Sequence, residues 1–233
     1  FWFMCYMAIS RTNTALKALQ QASDAEVANR QSRMGEMYFL RGHFYFVLKT
    51  IFGHIPFVDE NTPDSAYETT PNTLPNDEQW QKIVADFKKA YDLLPNTQPQ
   101  KGRADKYAAA AYLAKAYLYK AYRQSENNSV TGINSQDLQE VLTYTSFALG
   151  SSYGLEDDFA FNFLPGGYEN GKESMFAVQY SVDDGTQYGR LNWGDQLSAP
   201  QKLGCCDFHK PSQNLVNAFK TVNGLPDFDN FNN

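Results

Sequence analysis

The stretch between residues 180 and 195 combines aromatic rings with polar side chains in a sequence that has neither a helical nor a strand period. A flat ring covers the apolar face of a pyranose, while carboxylate, amide and guanidinium groups bind the hydroxyls of the sugar. This composition indicates a sugar-binding loop, in which we predict five ligand-binding residues: Tyr188, Trp193, Asp184, Arg190 and Asn192. The alternative is that Trp193 only anchors a long loop to the core.

Two other tyrosines lie in comparable surroundings. Tyr168 stands in the glycine-rich run Gly166–Gly171 and is a further candidate for ligand binding, again with a structural anchor as the alternative. Tyr67 lies in a polar loop over residues 59–76 and is a secondary candidate. Tyrosine is amphipathic and suits surfaces that bind ligands, and the chain has 15 tyrosines, more than a helical core requires.

The residue patterns of metal sites and of common catalytic sites are missing. Glycoside hydrolysis needs two carboxylates separated across a cleft, whereas Asp157–Asp158 and Asp183–Asp184 are adjacent in sequence. The histidines have no ligand spacing with cysteines or acids. No phosphate-binding loop, G-x-S-x-G motif or dinucleotide fingerprint occurs. We therefore predict a protein that is not an enzyme and that has no metal and no cofactor.

The adjacent cysteines Cys205 and Cys206 leave several chemical states open. They form a vicinal disulfide at an oxidising surface, pair with cysteines outside this chain, or remain two reduced thiols. His209 lies in the same loop, but without an orienting partner the group does not indicate a thiol nucleophile.

Composition excludes some partners. The net charge is −6, and no stripe of Lys or Arg occurs, so no nucleic-acid partner is expected. No run of about 18 apolar residues is present to span a membrane. The apolar opening, residues 1–9, lacks the basic region and cleavage site of a signal peptide. We interpret it as the middle of a buried helix, and we expect the chain to be an internal fragment.

Apolar periodicity predicts five helices, at about Tyr6–Ala22, Asp24–Phe52, Asn76–Leu94, Ala104–Tyr122 and Gln136–Leu149. The third has the clearest apolar face, which predicts that Trp80 lies in the core. The fourth is alanine-rich, which lets neighbouring helices approach closely, and is predicted to be central. Arg41 lies on an aromatic helix, and we expect a structural salt bridge or carbonyl contact rather than a ligand role.

The same apolar spacing predicts which residues of the second and fifth helices face the core. The second helix is predicted to bury Met37, Leu40, Phe44, Leu48 and Ile51, and the fifth Leu138, Val141, Leu142, Thr145 and Leu149. After Gly150 the sequence is irregular, with a predicted strand over 174–180. A short helix is predicted over 212–219, with Ser212 as its cap and with Leu215, Val216 and Phe219 packing inward. The predicted regions are a helical core over residues 1–150, with a long loop at 53–76, and a truncated, loop-rich ligand-binding region over 151–233.

The predicted fold class is mainly α. The second helix is expected to pair with the third, and the fourth with the fifth, as antiparallel hairpins. Large aromatics opposite alanines and a closing Pro95 are typical of tetratricopeptide repeats. The long loop at 53–76 departs from the compact repeat. We therefore predict tetratricopeptide-like antiparallel hairpins with an appended loop-rich region that contains short strands.

Four stretches, in order, resemble motifs of the SusD/RagB family. They are an arginine-bearing aromatic helix that runs into an F-G-x-[IV]-P turn (39–46 and 52–58), an alanine-rich helix (102–119), a strand of the form E-S-[IM]-F-x-[IV]-Q-[YF] (172–180), and a P-[ST]-x-x-L-V-x-A-[FY] helix before a turn (211–226). In that turn Asn223 replaces the usual aspartate.

The resemblance implies a tetratricopeptide-like core with an attached ligand-binding region. Members of the family are lipid-anchored at the outer membrane, on the cell surface, and cover a TonB-dependent transporter of the SusC type. The implied ligand is an oligosaccharide or polysaccharide, and the implied membrane contact is only a lipid anchor, which we expect to lie outside this fragment. The alternative function is a tetratricopeptide scaffold that binds a protein or peptide partner.

Overall fold

The computed structural model of the chain describes residues 1–125, 127, 129–164, 166–178, 185, 212–227 and 229–230. Backbone packing divides the chain into two compact units, Phe1–Val178 and Gln179–Asn233. The predicted helical region, residues 1–150, lies within the first unit, which also holds the candidate site.

The first unit is built mainly from α-helices, which confirms the predicted fold class. Its helices are α1 (Trp2–Gln21), α2 (Arg30–Phe52), α3 (Asn76–Leu93), α4 (Lys106–Ala121) and α5 (Ser135–Leu149). The strands β1 (Tyr122–Gln124) and β2 (Val130–Ile133) form an antiparallel hairpin between α4 and α5. Short 3₁₀ helices cover Asp64–Thr69, Phe159–Asn162 and Gly166–Tyr168.

The predicted antiparallel pairs are present. Between α2 and α3, the rings of Phe46 and Trp80 lie 5.6 Å apart, and those of Phe39 and Phe87 lie 5.8 Å apart. Phe39 precedes Phe46 in α2, whereas its partner Phe87 follows Trp80 in α3, so the two helices are antiparallel. The predicted face of α3 is buried, which places Trp80 in the core.

The alanine-rich helix α4 is central, as predicted. It packs against α3 on one side and α5 on the other. Its pairing with α5 is antiparallel, because Tyr107 stacks on Phe147 at one end while Lys120 binds Asp137 at 2.8 Å at the other. Five of its alanines are fully buried, which allows the close approach: Ala108, Ala109, Ala110, Ala116 and Ala121.

The predicted core faces of α2 and α5 are confirmed only in part. In α2, Leu48 is buried, and Met37, Leu40 and Phe44 are half-buried and packed against the core, whereas Ile51 is 58% exposed. The helix packs between α1 and α3, so it buries aromatic and charged residues on two sides rather than one apolar stripe. In α5, Leu149 is 79% exposed, because Tyr144 provides the packing surface against Tyr91 and Tyr117.

Helix starts also differ from the prediction. α1 begins at Trp2 rather than Tyr6, and its first residues are exposed rather than buried in the core. α2 begins at Arg30 rather than Asp24. Asn29 there has a φ of 58°, in the left-handed region that a right-handed helix does not adopt.

The predicted strand over 174–180 is not formed in its described part, Ser174–Val178. This segment docks through Phe176, whose ring lies 4.8 Å from that of Phe39, so it packs on helices instead of pairing with a strand. Gln179 and Tyr180 lie outside the described residues.

In the second unit, α6 (Gln213–Ala218) is followed by the antiparallel strands β3 (Thr221–Val222) and β4 (Leu225–Pro226). The hydroxyl of Ser212 accepts a hydrogen bond from the Leu215 N–H at 3.1 Å, which confirms the predicted cap. Leu215, Val216 and Phe219 were predicted to pack inward but are exposed. This helix is only six residues long, too short to bury a full face.

Within the described ranges, no helix has both the length and the apolar composition needed to cross a membrane. No group of three or more histidine, cysteine or acidic residues is assembled there that could hold a metal ion. Cys205, Cys206 and His209 lie outside the described residues.

A close contact at Gly35 gives a test of the α2–α3 packing. A Cβ atom at Gly35 would lie 2.9 Å from Leu94 Cγ and 3.1 Å from Leu93 Cβ. Overpacking costs about 1–3 kcal/mol, whereas replacing a helical glycine by alanine gains about 0.5–1 kcal/mol. Gly35→Ala is therefore expected to lower the free energy of unfolding by about 1–2 kcal/mol in urea denaturation. Gly132→Ala, in open space, is the control; equal effects would contradict the packing described.

Candidate functional site

A groove lies between α1 and the segment that connects α2 to α3. Its volume is about 610 Å³, within the range of small-molecule sites. Helix α1 contributes Trp2, Phe3, Tyr6, Met7, Ser10 and Arg11, and the connecting segment contributes Pro56, Val58, Tyr67 and Glu68. All of these residues belong to the first unit, and we refer to this surface as the α1 groove.

The rings on α1 are held by their neighbours. Trp2, Tyr6 and Ser10 are spaced by four residues and so share one face of the helix. The Trp2 ring lies 4.8 Å from the rings of both Tyr6 and Phe52. The Tyr6 hydroxyl donates a hydrogen bond to the carbonyl oxygen of Pro56 at 2.7 Å, and burial raises the pKa of Tyr6. Trp2 is 39% exposed, so part of its ring is open to a ligand.

Tyr67 faces these rings from the other side of the groove. It lies on the 3₁₀ helix Asp64–Thr69 and is half-buried. Its hydroxyl accepts a hydrogen bond from the Asn13 side-chain amide at 3.2 Å. Tyr67 packs partly against the core, and within the described part of the chain no other aromatic ring pairs with it. The part of the ring that lines the groove is therefore open to a flat ligand.

A buried charged network lies behind Tyr67. The Arg41 guanidinium binds both carboxylate oxygens of Asp86, at 2.8 and 2.7 Å. Its remaining nitrogen donates to Glu60 at 2.5 Å and to the Asn13 carbonyl oxygen at 2.8 Å. All four residues are buried. The structural salt bridge predicted for Arg41 is thus confirmed, and Asn13 joins it to the α1 groove.

The network predicts an acid-sensitive stability. Burial raises the pKa of Glu60, but the hydrogen bond and charge of Arg41 outweigh it and hold that pKa at about 2, below the usual 4.5. The lowered pKa of Glu60 stabilises the fold by about 3 kcal/mol above about pH 4.5. This stabilisation is lost progressively as the pH falls toward 2. Burial raises the pKa of Asp86 despite Arg41, so protonation of Asp86 offsets part of this loss.

The comparison of wild type with Glu60→Gln isolates the Glu60 contribution. Urea unfolding measured at intervals from about pH 5 to pH 2.5 is expected to lose stability more steeply in the wild type. Parallel curves for the two proteins would show that Glu60 is not held ionised by Arg41.

The polar members of the α1 groove are free to bind. Arg11 and Glu68 are exposed at its edge. Within the described ranges, neither side chain forms a hydrogen bond or an ion pair. A guanidinium, a carboxylate and the Ser10 hydroxyl can therefore contact ligand hydroxyls beside the aromatic surfaces.

A second cleft, of about 140 Å³, lies between the α3–α4 connection and residues 153–177. Two of its polar groups are bound to the protein: the Tyr153 hydroxyl donates to Asp105 at 2.8 Å, and Arg103 donates to Glu36 of α2 at 2.7 Å. The first of these contacts attaches Tyr153 to the N-terminal end of α4. The α1 groove, with its unpaired ring and polar groups, is the stronger candidate site.

Most of the site residues predicted from the sequence cannot be compared with the α1 groove. Trp193, Tyr188, Asp184, Arg190 and Asn192 fall outside the described residues. Tyr168 lies on the 3₁₀ helix Gly166–Tyr168, is 44% exposed, and has its ring 4.7 Å from that of Phe161. The secondary candidate Tyr67 lines the α1 groove. Trp2 and Tyr6 were predicted as core, although their four-residue spacing with Ser10 is a signal that could have identified this face.

Comparison with known proteins gives concordant results. The model of a SusD-like family, described as starch-binding and associating with the outer membrane, matches residues 1–118. SusD-like protein P2 of Formosa agariphila is 30% identical over 112 residues, which are 48% of this chain and 22% of that protein. The chain thus spans about a fifth of the length of this relative.

Solved structures share the fold. A SusD-like protein from Bacteroides fragilis NCTC 9343 superposes with a TM-score of 0.62 and 23% identity, over 78% of this chain and 34% of its own. A laminarin-binding SusD-like protein superposes with a TM-score of 0.61 and 23% identity, over 83% and 40%. Similarity at this level establishes a common fold.

Proposed function

This chain belongs to the SusD-like family, and we propose that it is part of a cell-surface protein that captures oligosaccharide and passes it to a TonB-dependent transporter. The family is associated with the outer membrane and is described as starch-binding, which supports both the location and the ligand class. In this proposal the protein binds its ligand without catalysis and reaches the membrane through a lipid anchor on the full-length protein.

The observation that carries the ligand class is the α1 groove. Trp2 and Tyr67 offer partly exposed ring surfaces, and Ser10, Arg11 and Glu68 offer hydrogen-bonding groups at its edge. Rings that cover the apolar face of a sugar, flanked by groups for its hydroxyls, are the combination that pyranose binding requires. The loop with Trp193, Tyr188, Asp184, Arg190 and Asn192, together with Tyr168, is proposed as a second contact region.

A tetratricopeptide scaffold is the second candidate function. Its partner would be a protein or peptide, which suits the helical hairpins. The half-open rings and free polar groups of the α1 groove favour the glycan, because a peptide-binding groove depends more on apolar pockets and main-chain contacts.

The test is affinity gel electrophoresis of the full-length protein in starch, laminarin and other soluble polysaccharides. Tyr67→Ala removes one ring of the α1 groove and is expected to raise the dissociation constant for the retarding glycan about tenfold, which corresponds to about 1.4 kcal/mol. Trp193→Ala tests the loop in the same way. Tyr122→Ala replaces an exposed tyrosine outside the groove and is the matched control.

Each outcome has a distinct meaning. Retardation weakened by Tyr67→Ala alone would place the ligand in the α1 groove, and retardation weakened by Trp193→Ala alone would place it in the loop. Failure of every polysaccharide to retard the wild type would refute the glycan proposal and favour the scaffold.

A further inference from the structure

We propose that the hydroxyl of Tyr67 is the hydrogen-bond donor that orients a pyranose in the α1 groove, and that Asn13, fixed by Arg41, is the positioning residue that frees this donor. The inference rests on the glycan-binding function proposed above. To that function it adds the group that determines specificity, the Tyr67 hydroxyl, and the reason why this hydroxyl is available to donate to a ligand.

Chemistry fixes the orientation of the Asn13 amide. Arg41 can only donate hydrogen bonds, so the group 2.8 Å from its guanidinium must be the amide oxygen. The amide nitrogen then faces the carbonyl oxygen of Val58 at 3.1 Å and the hydroxyl of Tyr67 at 3.2 Å. The Val58 carbonyl oxygen can only accept a hydrogen bond, so the group that faces it must be the amide nitrogen. This requirement gives the same orientation of the amide. Asn13 is only 2% exposed, so bulk water does not compete for the hydrogen bonds of its amide.

The partners of Asn13 are themselves immobile. Arg41 is held at both ends of its guanidinium by Asp86 and Glu60. Val58 exchanges two hydrogen bonds with the hydroxyl of Tyr45, at 2.8 Å from its N–H and 2.6 Å to its carbonyl. The Asn13 amide is therefore set by two fixed groups, and it sets the position of the Tyr67 oxygen in turn.

This arrangement determines the role of the Tyr67 hydroxyl. A phenol has one hydrogen and can also accept. Because Asn13 donates to its oxygen, the hydrogen of Tyr67 remains for another acceptor, and within the described residues the protein supplies none. The Tyr6 hydroxyl differs, because its hydrogen is bound to the Pro56 carbonyl. Tyr67 is thus the tyrosine of the groove that can donate to a ligand.

The chemistry of the matching ligand follows. It must offer a flat apolar face to the rings and, at its edge, an oxygen with a free lone pair. A neutral pyranose with a hydroxyl or ring oxygen at that edge meets both conditions. A site that hydrogen-bonds a specific oxygen discriminates against analogues that lack it, because its polar group is then left unpaired.

Isothermal titration calorimetry of the full-length protein with maltoheptaose and laminarihexaose tests the inference. Tyr67→Phe keeps the ring and removes the hydroxyl, and is expected to raise the dissociation constant about five- to tenfold. Tyr122→Phe, outside the groove, is the control and is expected to leave it unchanged. A dissociation constant for Tyr67→Phe within about twofold of wild type would overturn the inference.

A double-mutant cycle separates positioning from general structural damage. Asn13→Ala is expected to weaken binding in the wild-type background and to have no further effect in the Tyr67→Phe background. Equal losses in both backgrounds would refute the positioning role. If Asn13→Ala does not fold, Tyr67→Phe alone decides. Wild-type protein that binds neither oligosaccharide and is retarded by none of the polysaccharides would refute this inference together with glycan binding, whereas wild-type binding unaffected by Tyr67→Phe would refute the inference alone.

Discussion

Replacement of Arg41 by methionine is expected to lower the free energy of unfolding by about 3–5 kcal/mol. Methionine fills a similar volume but leaves the carboxylates of Asp86 and Glu60 without their cation. Both acids are buried, and an uncompensated charge in the interior is strongly destabilising. The measurement is equilibrium urea unfolding at pH 7, followed by far-ultraviolet circular dichroism.

The matched control is Lys88→Met. Lys88 also forms an ion pair, with Asp92 at 2.5 Å, but the two side chains are 42% and 51% exposed. Exposed pairs contribute about 0–1 kcal/mol, so this substitution is expected to have little effect. A second variant joins Arg41→Met to Asp86→Asn and Glu60→Gln, and neutralising both acids is expected to restore part of the loss. Equal stability of Arg41→Met and wild type would contradict the role of the network.

The structural role of Arg41 was predictable from its setting, but its partners were not. A single base on an aromatic helix needs an internal acceptor, and that argument requires no knowledge of the fold. Glu60 and Asp86 lie 19 and 45 residues away, in a loop and on another helix. Local spacing carries no information about such pairings.

Helices were easier to predict than the faces they bury. The period of α3 identified its core side correctly because that helix has one apolar stripe. In α2, Arg41 and Lys49 are buried along with aromatic residues, since neighbours cover the helix on two sides. A pattern that assumes one apolar face cannot describe a helix packed in this way.

The candidate site depended on tertiary structure in a similar manner. Trp2 and Tyr6 were predicted as core because large rings on a helix are most often buried. Whether such a ring covers the core or lines a groove depends on where the α2–α3 connection lies, and this is set by contacts such as that between Asn13 and Tyr67. The sequence identified the residue types suited to a sugar but not the surface that unites them.

Truncation of Phe39 to alanine is expected to destabilise the first unit by about 3–5 kcal/mol. Phe39 is fully buried, and its ring contacts those of Phe87, Tyr112 and Phe176 at 4.8–5.8 Å. These contacts join α2, α3 and α4 to the segment that ends the unit. The cavity left by the ring has rigid walls, so it cannot collapse without disrupting all four elements.

Urea unfolding of Phe39→Ala, compared with Phe159→Ala, measures this effect. Phe159 is 77% exposed, and its truncation is expected to cost less than about 1 kcal/mol because little apolar area is buried there. Limited proteolysis adds a local test, because loss of the Phe39–Phe176 contact is expected to expose residues 170–178 to cleavage before the helices unfold. A loss of stability in Phe39→Ala no larger than in Phe159→Ala would show that this aromatic cluster does not hold the unit together.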